Sequence, residues 1–129
     1  MKRSKVMRKL ARKIIGENIK IKKGKCWETN WENKIWWAND ENTESAKAFK
    51  DFFIKHCPIA KDYSNITISL LHEIGHIMMV DESYGEQIKT KDNEKYFNSH
   101  DEWIATEWAI NFLINNTKLL RKFEKKIAG

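Results

Sequence analysis

The chain has 129 residues, with six Trp, six Phe, five Gly, a single Pro and a net charge of +6. That is enough for one domain, residues 1–129, with a modest core, and too little Pro and Gly for a linker-rich or disordered chain. No apolar run reaches the roughly 18 residues that a membrane span needs, and two cysteines, Cys26 and Cys57, do not make a disulfide framework.

The charge is uneven. Residues 1–25 hold eleven Lys or Arg against Glu17 alone, a sum of +10, and the remainder sums to −4. Such a basic arm is a candidate contact for an anionic partner: nucleic acid, a membrane surface or an acidic protein. The plainer alternative is a solvated helix face. No aromatic residue precedes Trp27, so the arm lacks a stacking platform for bases. It also lacks an unbroken apolar segment and is a poor signal peptide. A reduced, cytoplasmic setting is the expectation, with both cysteines as small buried hydrophobes. Lys outnumbers Arg twenty to four, which hints at an AT-rich genome such as that of some bacteria and their phages.

In chain order, "KVMRKLARKIIG" spaces Val6, Met7, Leu10, Ala11, Ile14 and Ile15 on one stripe, predicting a basic helix over about 4–16 that stops at Gly16. "NIKIKKGKCWETN" alternates Ile19 and Ile21 with Lys and turns near Gly24, predicting two short strands; "NKIWWAND" predicts a third. Asn42 or Thr43 is placed to cap the helix "ESAKAFKDFFIKHC", which Pro58 ends; Ala46, Phe49, Phe52 and Phe53 form its apolar stripe. A further helix runs from about Ser64 to Val80. Residues 81–98 are polar and without period, predicting a long loop. From Ser99 a single long helix is expected to the C-terminus, burying Trp103, Ala105, Trp108, Ala109, Phe112 and Leu113. The expected architecture is α+β: a small antiparallel sheet of about three short strands packed with four helices.

The Ser64–Val80 segment holds the chemistry. "LLHEIGHIMMV" is apolar except for His72, Glu73 and His76, and burying unpaired polar groups costs several kcal/mol. Four residues apart on a helix, two imidazoles share a face and can bind one ion, for which zinc suits neutral imidazole. Glu73 projects about 100° round the helix from His72, within reach of a water on that ion. A catalytic zinc needs a third protein ligand and one open position. Glu102 is the leading candidate, because it shares a face with Ala105 and Ala109, small residues that permit a close approach; Gly75 does the same on the opposite helix. Glu107 points about 140° away from Glu102. Two alternatives stand: "Ser99-His100-Asp101-Glu102" matches a capping box that would occupy Glu102, and His100 is a rival ligand. His100, Tyr84 and Tyr96 are also candidate donors to a developing oxyanion.

"HEIGH" followed by "EWIAT" resembles the gluzincin metallopeptidases, most of all the small ImmA/IrrE-type peptidases of bacteria, phages and mobile elements, over roughly residues 33–113. The resemblance implies a zincin-like core, one zinc ion held by His72, His76 and Glu102, and Glu73 as general base. It also implies a protein substrate, often a DNA-bound repressor, and makes the "KIWWA" strand a candidate edge for an extended peptide. At Thr106 this chain departs from the Asn or Asp that the family usually places there. The expected function is zinc-dependent hydrolysis of peptide bonds in a protein, possible regulators among them. The alternatives are a catalytically silent binding module on the peptidase fold and a basic nucleic-acid-binding regulatory protein.

Overall fold

A computed structural model describes residues 2–83 and 90–128 of the chain. It opens with helix α1 (Lys2–Ile14), whose Met7, Leu10 and Ala11 are buried, so the predicted stripe is the packing face. Gly16 ends the run with φ of +137°, a conformation that side chains disfavour. Three strands follow: β1 (Lys20–Lys23), β2 (Glu28–Thr29) and β3 (Lys34–Trp37). Helix α2 (Glu44–His56) begins at Thr43, whose hydroxyl accepts from the Ala46 N–H at 3.2 Å. Pro58 prevents its continuation, and a 3-10 turn (Pro58–Asp62) leads into α3 (Asn65–Met78). Short helices α4 (Val80–Ser83) and α5 (Asn93–Phe97) precede α6 (His100–Asn115) and α7 (Thr117–Ala128).

The fold is mixed α and β, with seven helices and one three-stranded sheet among the described residues, and three expectations are corrected. The sheet is not antiparallel throughout. Its order is β1-β3-β2, with β1 parallel to β3 (Ile21 opposite Ile35) and β2 antiparallel to β3 (Thr29 opposite Ile35). Strand β3, containing "KIWW", is therefore central, and β1 and β2 are the outer strands among the described residues. Ile35 and Trp37 are its buried residues, and Trp37 Nε1 donates to Ser4 Oγ of α1 at 2.7 Å. The four expected helices become seven because two predicted segments divide. The 81–98 loop carries α4 and α5, with Asp92 capping the latter by accepting from the Lys95 N–H at 3.2 Å. The long C-terminal helix breaks at Asn116, where ψ is +37°. That break folds α7 back to bury Leu120, Phe123 and Ile127 and to pack against α1.

Helix α3 is the centre of the molecule. From Ile66 to Ile77 every residue except Ser69 is buried, which accounts for its near-continuous apolar sequence. Ser64 caps it, its hydroxyl accepting from the Thr67 N–H at 3.3 Å. Glu124 of α7 reinforces that end: its carboxylate accepts from the Ser64 N–H at 3.0 Å, from Ser64 Oγ at 2.7 Å and from Thr67 Oγ1. A negative charge there also complements the helix dipole. The most extensive contact in the fold is α3 against α6. It is very close: a Cβ on Gly75 would lie 2.5 Å from the Ala105 carbonyl oxygen. No helix among the described residues is long and apolar enough to cross a membrane.

Candidate metal centre

The contact between α3 and α6 brings the predicted residues together. His72 and His76 lie one turn apart with ring centroids 4.7 Å from each other. Glu102, in the first turn of α6, bridges them. Its two carboxylate oxygens lie 3.0 Å from His72 Nε2 and 3.1 Å from His76 Nε2. Ser99 is the N-cap residue of α6, but its side chain makes no capping bond and Glu102 turns to the imidazoles instead of back to the Ser99 N–H. The capping-box alternative is thereby corrected.

All three side chains are buried, as is Glu73, which is 6% exposed. The ligand atoms of His72, Glu73 and His76 also lie within 4.8 Å of one another. Of the two carboxylates, Glu102 touches both imidazoles, and Glu73 forms no hydrogen bond among the described residues. The donor set fits a small divalent cation. A tetrahedral ion with bonds of about 2.0–2.1 Å holds its ligand atoms roughly 3.3 Å apart, near the 3.0 and 3.1 Å between Glu102 and the two imidazoles.

Electrostatics couple these groups. Burial opposes ionisation of Glu102, but hydrogen bonds and charge from His72 and His76 outweigh it and hold the carboxyl well below its ordinary range. Burial likewise opposes protonation of His76, and Glu102 reverses that to raise it. Glu73 is pushed up by burial, only partly offset by the two histidines.

Thr106 answers a question that the sequence left open. It lies one turn after Glu102 on α6, fully buried, with Oγ1 3.0 Å from His72 Nδ1. When Nε2 is turned to a cation, Nδ1–H donates to this hydroxyl, which fixes the tautomer and the ring. Thr106 thus supports His72 from α6. Its i+4 spacing from Glu102 was the signal for it.

His76 is supported differently. Its Nδ1 is buried without a hydrogen-bond partner among the described residues, and the Trp31 ring stacks on the imidazole with centroids 5.5 Å apart and planes 9° from parallel. Trp31 sits in the β2–β3 turn at φ of +64°, a left-handed conformation that costs a bulky residue about 1 kcal/mol or more. The turn is tightly bonded. Asn30 Oδ1 accepts from the N–H groups of Glu32, Asn33 and Lys34, and the Trp31 N–H donates to Thr29 Oγ1 at 3.0 Å. Phe49 packs edge-on against His72 at 5.0 Å. Neither aromatic carried a sequence signal for the site.

These groups line a cleft of about 370 Å³, bounded by β2, α2 and α5 as well as by α3 and α6. Tyr96 lines it too. Burial, and then Glu102 and Glu73, push that phenol far up, so it stays a donor at every ordinary pH. His100 does not line the cleft; its ring is exposed and donates to the Glu82 carbonyl at 3.0 Å, because the start of α6 faces α4 there. The structure thus brings Glu102, not His100, to the two imidazoles. Tyr84 lies outside the described residues. Cys57 is buried as expected, whereas Cys26 is exposed at the cleft mouth beside β2. None of the family models, curated proteins or solved structures compared with the chain matches it.

Proposed function

We propose that this protein is a zinc-dependent peptidase of the gluzincin kind, resembling the ImmA/IrrE-type enzymes. One observation carries the reading: a carboxylate from α6 meets both imidazoles of α3 at 3.0 and 3.1 Å, and Glu73 borders the same cleft without a hydrogen-bond partner among the described residues. His72, His76 and Glu102 would hold the ion, with Thr106 orienting His72 and Trp31 stacked on His76. The ion supplies Lewis acidity and lowers the pKa of water towards about 7.

The residues of the chain do the rest. Glu73 accepts the proton of a water as its oxygen adds to a peptide carbonyl carbon, then returns that proton to the amine nitrogen as the C–N bond breaks. Tyr96 is the donor best placed for the developing oxyanion, since it lines the cleft and remains protonated. The edge of the sheet that borders the cleft is β2, which offers backbone groups to an extended peptide. Packing of the arm's apolar stripe against β1 and α7 supports the plainer reading of the basic helix, with its charges solvated.

The test is metal analysis of the purified chain together with protein-cleavage assays. Wild-type protein should carry one zinc and lose it in Glu102→Ala. Glu73→Gln should keep the zinc and lose about 10²–10⁴-fold in turnover. Full activity in Glu73→Gln, or no metal under generous supply, overturns the reading.

A further inference from the structure

The cleft has the opposite charge to the chain around it. Besides Glu73 and Glu102 it is lined by Glu28 of β2 and by Asp40, just beyond β3. Among the described residues no Lys or Arg lines it, in a chain that carries 24 of them. The two outer carboxylates belong to one lip. Trp27 Nε1 donates to Asp40 Oδ1 at 3.2 Å, and Trp27 precedes Glu28 directly. Glu28, Asp40 and the exposed Cys26 line the same cleft as Glu73. Glu73 itself is more than nine-tenths buried, borders the cleft and has no hydrogen-bond partner among the described residues.

A bound divalent cation would offset Glu73 and Glu102, and among the described residues no cationic side chain lines the cleft beside Glu28 and Asp40. Their field is focused by the apolar walls of Trp27, Trp31 and Phe49. Lys and Arg side chains match such a surface, laying an aliphatic stem and a cation against indole while the charge reaches carboxylates. Acidic side chains are repelled from it.

We propose that Glu28 and Asp40, with Trp27, form a subsite for a Lys or Arg residue of a peptide bound beside the metal centre. The proposal rests on the peptidase reading for its substrate class, but its test does not require turnover. Three blocked hexapeptides, identical except for Lys, Gln or Glu at one position scanned along the sequence, are titrated into zinc-supplied Glu73→Gln protein and followed by tryptophan fluorescence. At low salt the Lys peptide should bind about tenfold tighter than the Gln peptide at one position, and the Glu peptide more weakly still. The preference should shrink as salt is raised and disappear in Glu28→Gln/Asp40→Asn. Asn keeps an acceptor for Trp27 Nε1, and Glu28 is exposed, so Glu28→Gln alone serves if the double variant is unstable. Equal affinities, no binding of any peptide, or a preference unchanged in the variants overturns the subsite. Cleavage by wild-type protein is scored separately. Charge preference without cleavage retains the subsite and removes the peptidase reading; cleavage blind to charge does the reverse.

Discussion

Gly75→Ala is the most direct probe of how the proposed metal centre is assembled. The added methyl would lie 2.5 Å from the Ala105 carbonyl oxygen and 3.1 Å from its Cα, and both are backbone atoms that cannot swing aside. Ordinary contact begins near 3.4 Å, so α3 and α6 must part by about 0.9 Å. Overpacking of this kind costs about 1–3 kcal/mol, which for a chain of this size is roughly 5–10 °C in Tm. Because Glu102 rides on α6 and both histidines on α3, the same displacement carries the carboxylate away from the imidazoles it now meets at 3.0 and 3.1 Å. Zinc affinity should therefore fall at least about tenfold, read by competition with a chromogenic chelator beside thermal denaturation. Gly16→Ala is the control. It has open space around its Cβ but sits at φ of +137°, so it should lose about 1 kcal/mol of stability and leave zinc affinity alone. A Gly75→Ala protein with wild-type Tm and wild-type zinc affinity would show that the helices do not approach this closely.

Thr106→Val removes the oxygen facing His72 Nδ1 and should weaken zinc binding by about 10–100-fold, while Thr106→Ser restores most of it in the same competition assay. Glu124→Ala takes away the acceptor of three hydrogen bonds at the start of α3 and should cost about 2 kcal/mol in urea denaturation, with the zinc stoichiometry of the folded protein unchanged. Burial raises the Asp40 carboxyl above its ordinary 3.8, so the folded state holds that proton more tightly than the unfolded chain does, and ionised Asp40 opposes folding. Asp40→Asn should therefore gain stability relative to wild type as pH rises from 3.8 through the raised value, and thermal melts across the acid range that show the opposite trend would refute the assignment.

What could be read in advance was whatever depends on a few neighbouring residues. The i, i+4 spacing of His72 and His76 follows from helix geometry alone, as do a cap at Asn42 or Thr43 and the stop at Pro58. The pairing of Gly75 with Ala105 was legible for a similar reason, since small residues on two helix faces leave room for one kind of contact. The break at Asn116 was also written locally, in "Asn115-Asn116-Thr117", but an apolar pattern continuing on both sides obscured it.

The tertiary structure decided the rest. Strand β3 reads as well for an edge as for a centre; only the parallel return of β1 on one side and the antiparallel β2 on the other make it central. Glu102 had two partners compatible with its sequence, a backbone N–H three residues earlier and an imidazole 30 residues away. The choice fell to the approach of α6 on α3. Trp31 reached His76 through a turn whose left-handed residue nothing nearby in sequence demands. Periodicity encodes which face of an element is apolar, because that is fixed by bond geometry within a turn or two. It does not encode which other element will cover that face, because that choice minimises the free energy of the whole packed chain.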